Sequence, residues 1–266
     1  MSIQNKNLTS VACDIRRSII TMAHASASPH VASALSCADI LTYVYFKQLR
    51  LVPWKSRDIF ILSKGHSAMA LYATIARRGI IDAKLLDGYY QNNGSLPAHL
   101  DRFSAKGIEV SAGSLGHGFN MGLGMAFAFK KKKLTQRVYC LIGDGETQEG
   151  SIWEGALFAP TLGIDNFTAV IDYNNLQGYG RARELCHFEP LRAKWESFGW
   201  KVVEANGHDF RSLDAAFRAP SCGPKVIIAR TIKGKGVSFM EDKLIWHYYV
   251  VSDEIKNKAL RELICA

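Results

Sequence analysis

The sequence predicts an α/β domain in which a parallel sheet is covered by helices on both faces. Three observations carry that expectation. Short apolar runs of strand length alternate with helical patterns through the second half of the chain. Those runs read as buried strands rather than half-exposed ones, as a sheet covered on both sides requires. Two of them end in polar, turn-forming residues, Gly143-Asp144-Gly145 and Asn174-Asn175, where an open parallel sheet binds its ligands.

Taken in order, helical periodicity covers residues 8–27 and 36–50, and a short β-like run at 58–62 follows Pro53. Ser63-Lys64-Gly65-His66 closes that strand, and a helix over 67–78 ends at Gly79. Residues 89–118, rich in Gly, Ser, Asn and His, read as long loops, and loops of that length usually carry function. Beyond them the spacing predicts a helix over 119–132, a strand over 138–142, a helix over 152–162 and a strand over 167–172. Strands at 201–204 and 226–229 flank a helix at 210–217, and a last helix spans 253–263. No internal repeat or low-complexity linker interrupts the pattern.

With 266 residues, 48% of them hydrophobic, the chain has apolar material for one large core, so residues 1–266 read as a single domain. No apolar run approaches the roughly eighteen residues that cross a bilayer, and residues 1–10 are polar, without a signal-peptide pattern. These features predict a soluble, cytoplasmic protein that does not act at a membrane. Six scattered cysteines (Cys13, Cys37, Cys140, Cys186, Cys222, Cys265) form no Cys-x-x-Cys pair and are expected to be free thiols. The net charge of +9 is diffuse except for Lys130–Lys133, at the end of a helical pattern where cations suit the helix dipole. Anionic small molecules are therefore expected partners rather than nucleic acid.

The most informative stretch is Leu141-Ile142-Gly143-Asp144-Gly145-Glu146, followed about thirty residues later by Ile171-Asp172-Tyr173-Asn174-Asn175. Asp144 and Asn174 would project into one crevice beyond the strand ends. A carboxylate, an amide carbonyl and a backbone carbonyl are hard oxygen donors suited to Mg²⁺ or Ca²⁺, and Mg²⁺ commonly completes its octahedron with phosphate oxygens. The glycines let a diphosphate approach the backbone closely. Each segment alone reads equally as a tight turn or a loop; their spacing and shared strand context favour the paired reading.

Here the chain resembles the thiamine-diphosphate enzymes, whose diphosphate-binding motif runs Gly-Asp-Gly, a spacer of this length, then Asn. Ser63-Lys64-Gly65-His66, Ser114-Leu115-Gly116-His117-Gly118, Gly145-Glu146-Thr147-Gln148-Glu149-Gly150 and Thr231-Ile232-Lys233-Gly234-Lys235-Gly236 narrow the likeness to the transketolase family. It covers nearly the whole chain and is closest to the N-terminal subunits of split bacterial transketolases. The resemblance implies the thiamine-diphosphate-binding fold and transfer of a two-carbon ketol unit from a ketose donor to an aldose acceptor. It implies metal ligation by Asp144, Asn174 and the carbonyl of Leu176, with Mg²⁺ as the cation and Ca²⁺ or Mn²⁺ as alternatives. Cofactor contacts are implied at His66, Ser114, Leu115, Gly116, His117, Gly143, Asp144, Gly145, Glu146, Asn174, Leu176 and His247.

Ketol transfer needs proton movement at sugar hydroxyls and carbonyls, work that suits histidine near neutral pH. By resemblance, His30, His66, His99 and His247 are the catalytic candidates. Pro29 stands where the family usually has glycine, and Tyr248-Tyr249-Val250 where it often has Gly-Ala-Pro. Gly178-Tyr179-Gly180 replaces Ile-Asp-Gly, and His117 stands where many members carry glutamine. These departures suggest an unusual sugar in a biosynthetic route. His24, His187 and His208 match no catalytic block and read as structural or surface residues.

Glu149 corresponds to a family glutamate at the subunit interface; the alternative is a helix-start carboxylate stabilised by the macrodipole. Glu154 reads equally as solvated. The family's activating glutamate, its aromatic pyrimidine pocket and most phosphate-gripping arginines belong to a second domain. The resemblance therefore implies a partner chain carrying the pyrimidine-binding domain in an α2β2 heterotetramer, with Ile152-Trp153 and Phe158 as candidate contacts. Two other readings stay open: the α subunit of a 2-oxo acid dehydrogenase, and a non-catalytic homologue that binds a partner alone.

Overall fold

The computed structural model describes residues 7–187 and 189–265; residues 1–6, most of the polar N-terminal stretch, lie outside the described residues. Helix α1 (Leu8–Ser26) starts where the Asn7 side chain accepts a hydrogen bond from Thr9 N at 3.0 Å, satisfying one of the free N–H groups of the first turn. Helices α2 (Val31–Ser36) and α3 (Ala38–Tyr43) follow, and α3 runs into a wide π turn at Val44–Gln48. The expected single helix at 36–50 is thus broken at Cys37 and preceded by a helix the sequence did not announce. All six residues of α2 are buried, so it has no polar face and leaves no amphipathic period to detect.

Strand β1 (Ile59–Leu62) leads to α4 (Ala68–Arg77), and the long loop region ends at α5 (His117–Lys131). Then come β2 (Val138–Gly143), α6 (Gly150–Thr161), β3 (Phe167–Tyr173), the short helices α7 (Ala182–Leu185) and α8 (Leu191–Ser197), β4 (Lys201–Asn206), α9 (Phe210–Arg218), β5 (Lys225–Arg230) and α10 (Asp253–Glu262). Helix α8 escaped the sequence reading because it buries only Leu191 and Trp195, one i,i+4 pair.

The strands form one five-stranded sheet in the order β1-β2-β3-β5-β4, with every pairing parallel. Alternate side chains of each strand enter two separate cores. Phe60, Leu62, Tyr139, Leu141, Val170 and Ile227 pack with α1 to α4 and α9. Ile59, Ile61, Val138, Cys140, Ile142, Ala169, Ile171 and Ile228 pack with α5, α6 and α8, where the fully buried Trp195 meets Trp200 at 4.8 Å. Helix α9 crosses on the face opposite α6 and α8 because the chain steps back from β4 to β5, and a right-handed crossover then demands the other face.

The expectation for the cysteines fails. Cys13 and Cys265 are not free thiols but are joined in a disulfide, their Cα atoms 5.5 Å apart across a sequence separation of 252. Nothing in the spacing announces the pair. It forms because the chain end packs on α1, where the Arg17 guanidinium donates to the carbonyls of Leu260 and Leu263 at 3.0 and 2.8 Å. Cys37 and Cys140 are buried free thiols, and Cys186 and Cys222 are exposed. Among the described residues, no helix is long and apolar enough to cross a membrane.

Candidate functional site

Four neighbouring strands end at the same edge of the sheet, and the residues just past each end build a cavity of about 400 Å³. β1 delivers Lys64 and His66, β2 delivers Asp144, β3 delivers Asn174 and Leu176, and β5 leads to Lys233. A larger groove of about 610 Å³ past β4 and β5 holds none of the four candidate histidines, so convergence of polar groups rather than size identifies the site.

The floor is a buried ion pair. Lys64 Nζ lies 2.5 Å from Asp172 Oδ2, with both side chains almost wholly inaccessible. Asp172 also accepts hydrogen bonds from Ser36 Oγ, at 2.5 Å, and from Thr231 Oγ1. Burial opposes ionisation of Asp172, but the Lys64 ammonium and these hydrogen bonds hold its carboxyl below the usual carboxylate range.

Above that floor, Asp144 Oδ1 accepts from Gly145 N at 2.7 Å and Oδ2 accepts from Asn175 N. Asn175 adopts a positive φ of 58°, a conformation asparagine tolerates better than most residues, and this turns its N–H toward the β2 loop. Asn174 Oδ1 accepts from Leu176 N at 3.1 Å, and the Leu176 carbonyl accepts from Lys233 Nζ at 2.7 Å. Burial and the Asp172 charge push Asp144 up to about 6, so the site favours a cation beside it. Burial, then the Lys64 charge, bring Lys233 down to about 7.

The oxygens of Asp144, Asn174 and Leu176 fit a hard cation with a diphosphate. Each is fixed by a hydrogen bond yet keeps a lone pair free, since carboxylate, amide and backbone oxygens all accept more than one bond. Among the described residues, no group of three His, Cys, Asp or Glu side chains is arranged to hold a metal, so phosphate oxygens would have to complete the coordination. Beside Gly145, the buried Gln177 Nε2 has no hydrogen-bond partner among the described residues, and a phosphate oxygen is an acceptor that would satisfy it.

The four candidate histidines line the same cavity. His30 sits 5.4 Å from His66, 5.0 Å from His247 and 6.1 Å from His99, ring centre to ring centre. His30 has φ of 72°, which costs about 1 kcal/mol for a residue with a side chain, and its N–H donates to the His247 carbonyl at 2.9 Å. His66 follows Gly65, where a Cβ would lie only 2.3 Å from the Ala112 carbonyl oxygen. Glycine is required there for the strand-end loop to seat against the 89–118 segment.

Burial and then the neighbouring charges depress these imidazoles: His30 to about 4, His247 to about 3, and His66 well below the ordinary value. Because the folded values lie below the unfolded one near 6.5, stability held by neutral rings is present above that pH and is lost as pH falls below it. Histidine NMR should therefore show His30 and His247 still neutral at pH 5; protonation of either near 6.5 would contradict this environment.

The structure brings His30, His66, His99, His247, Leu115, Gly143, Asp144, Gly145, Glu146, Asn174, Leu176 and Glu149 to the cavity wall. Ser114, Gly116 and His117 do not line it. Ser114 and His117 are exposed at the start of α5, and Gly116 N donates to Glu146 Oε1 at 2.8 Å. The Glu146 carboxylate also accepts from Ser63 Oγ and Gly143 N, so its oxygens staple three loops together. His24 pairs with Asp253 and His208 with Asp39, away from the cavity, while His187 is solvent-facing. Of the suggested contact residues, Ile152 packs in the chain's own core and Trp153 stacks on Phe198, leaving Phe158, 60% exposed. Sequence reasoning missed Ser33, Lys64 and Lys233 as wall residues; both lysines lie inside quoted blocks, but a buried lysine has no signature in sequence.

Comparison with known proteins agrees with this geometry. Residues 9–259 match the family described as the transketolase thiamine diphosphate binding domain. The chain is 40% identical over 242 residues to the 6-deoxy-6-sulfo-D-fructose transketolase subunit SqwG of Clostridium sp. MSTE9, covering 88% of each protein. It is 38% identical to an apulose-4-phosphate transketolase subunit of Phocaeicola vulgatus, covering 93% of this chain and 90% of that one. The crystal structure of Campylobacter jejuni transketolase superposes with a TM-score of 0.88 at 28% identity, covering 96% of this chain but 42% of that one. The chain spans less than half of that transketolase and about nine-tenths of the two named subunits. With the Gly-Asp-Gly and Asn segments meeting at one sheet edge, it belongs to the transketolase family of transferases, as an N-terminal, thiamine-diphosphate-binding subunit.

Proposed function

We propose that this chain, a single diphosphate-binding domain, works with a partner carrying the pyrimidine-binding domain to transfer a two-carbon ketol unit between sugars or sugar phosphates in the cytoplasm. The observation that carries the reading is the meeting, in one cavity, of the Asp144, Asn174 and Leu176 oxygens with His30, His66, His99 and His247. The three oxygens would hold Mg²⁺ against the cofactor's diphosphate, and Gln177 Nε2 would donate to a phosphate oxygen. When bound, thiamine diphosphate supplies the nucleophilic carbon and the electron sink. His30 and His247, neutral and in edge contact, would hydrogen-bond the substrate's hydroxyl and carbonyl oxygens and so orient them for proton movement.

Substrate choice supports an unusual sugar. Tyr179 and Tyr248, both departures from the usual family pattern, stand on the wall of this cavity, and Tyr248 meets the His247 ring at 4.5 Å. Two relatives are named for 6-deoxy-6-sulfo-D-fructose and apulose 4-phosphate rather than for common pentose phosphates. Glu149, exposed at the cavity rim, and the exposed Phe158 would meet other chains of an α2β2 assembly.

The test is to purify the chain with its co-purifying partner and follow ketol transfer from xylulose 5-phosphate, 6-deoxy-6-sulfo-D-fructose and apulose 4-phosphate. Turnover that needs both chains, thiamine diphosphate and Mg²⁺, with a modified sugar preferred, is the expected result. Decarboxylation of 2-oxo acids without ketol transfer, or full activity from this chain alone, would refute it.

A further inference from the structure

We propose that Lys233 is a positioning residue that fixes the tautomer of His247, so that the ring turns an N–H donor at Nε2 toward the substrate space. Lys233 is 2% exposed, and its Nζ lies 2.6 Å from His247 Nδ1. The same Nζ donates to the Leu176 carbonyl at 2.7 Å and approaches the Gln177 carbonyl at 3.4 Å. An ammonium has three donors and no acceptor, and a neutral imidazole has one of each. With two carbonyls beside it, the ammonium meets Nδ1 as a donor, so Nδ1 carries the lone pair and the ring proton sits on Nε2.

The surroundings keep this arrangement. Burial, and after it the ammonium beside the ring, disfavour a charge there, so the imidazole stays neutral. Its Nε2 lies beside the loop after β3: a Cβ built on Gly178 would lie 2.6 Å from Tyr248 Oη and 3.2 Å from Nε2, so glycine there lets the loop approach the ring and its tyrosine neighbour closely. The Lys233 loop is held at both sides, by Asp242 N donating to the Lys233 carbonyl at 2.9 Å and Gly234 N donating to that of Ala32 at 3.0 Å. One side chain thus ties the β3 loop, which supplies the Leu176 oxygen, to the ring that faces the sugar. An Nε2–H recognises an acceptor, a carbonyl or hydroxyl oxygen, so the ketose would be bound through such an oxygen at this point. That consequence rests on the ketol-transfer reading; the tautomer does not.

The measurement is long-range ¹H–¹⁵N correlation of the imidazoles in the full chain at pH 6, with His247 assigned by the signal lost in His247→Gln. The wild-type ring is expected as the Nε2–H tautomer. Lys233→Met, which keeps length and removes the donors, is expected to move it toward Nδ1–H, while Lys233→Arg, which restores donors, returns it. An Nδ1–H tautomer in the wild-type chain, or an Nε2–H ring unchanged in a folded Lys233→Met variant, would overturn the proposal. If Lys233→Met fails to fold, the wild-type tautomer and the arginine variant decide. A failure of ketol transfer in the assembled enzyme would leave this result standing, so the two readings fail separately.

Discussion

Replacing Asp144 with alanine is expected to weaken uptake of thiamine diphosphate and Mg²⁺ by the assembled complex more than about a hundredfold. Loss of a partner that merely orients a metal ligand already costs ~10–100-fold in affinity, and here the ligand itself is removed. Asp144 is the one carboxylate of the proposed oxygen set, lies 3% exposed, and is aimed by two backbone N–H groups, those of Gly145 and Asn175. The alanine variant leaves those donors without an acceptor, at about 1–3 kcal/mol for each if water cannot reach it. Asp144→Asn is the companion variant, because its amide oxygen can still accept from one of the two while the negative charge is gone. Both should bind poorly in calorimetry with thiamine diphosphate and Mg²⁺. Affinity unchanged in the asparagine variant would mean that the charge at the end of β2 does not hold the cation.

A second large effect is expected from Asp172→Ala, this time on stability. The substitution strands the Lys64 ammonium, whose side chain is 2% exposed, without its counter-charge. Breaking a buried pair from one side costs about 3–5 kcal/mol, which for a chain of this size lowers the melting temperature by roughly 10 °C. The double variant Lys64→Met/Asp172→Leu should recover much of the loss, since no unpaired charge remains. A single variant that melts within about 2 °C of the wild type would show that water reaches Lys64.

The same pair predicts a pH window. Burial opposes the charge on each partner, yet the partners dominate, and Lys64 is held above the usual ammonium range as Asp172 is held below the carboxylate range. Stability from Asp172 is present above the unfolded carboxylate value near 3.9 and fades as pH falls through its lower folded value. Stability from Lys64 is present below the unfolded value near 10.4 and fades as pH rises through its higher folded value. Thermal melts should show the pair's contribution level between about pH 4 and 10 and the Asp172→Ala difference shrinking in acid.

By itself the sequence determined the strands, the helices long enough to show a period, and the family, because strand burial, helix periodicity and the Gly143-Asp144-Gly145 and Asn174 segments are local patterns with local physical causes. It could announce neither α2, whose residues are buried all round, nor α8, whose buried face is a single pair. Only the tertiary structure decided what depends on distant segments meeting. The Cys13–Cys265 bond, the Lys64–Asp172 pair across 108 residues and the link from Lys233 to Leu176 and His247 are of that kind. It also divided the Ser114–Gly118 block, keeping Leu115 at the cavity and leaving Ser114 and His117 exposed. A strand-end motif carries its chemistry in its own residues, whereas a buried charge or a disulfide is defined by its partner, and the partner is known only once the chain has folded.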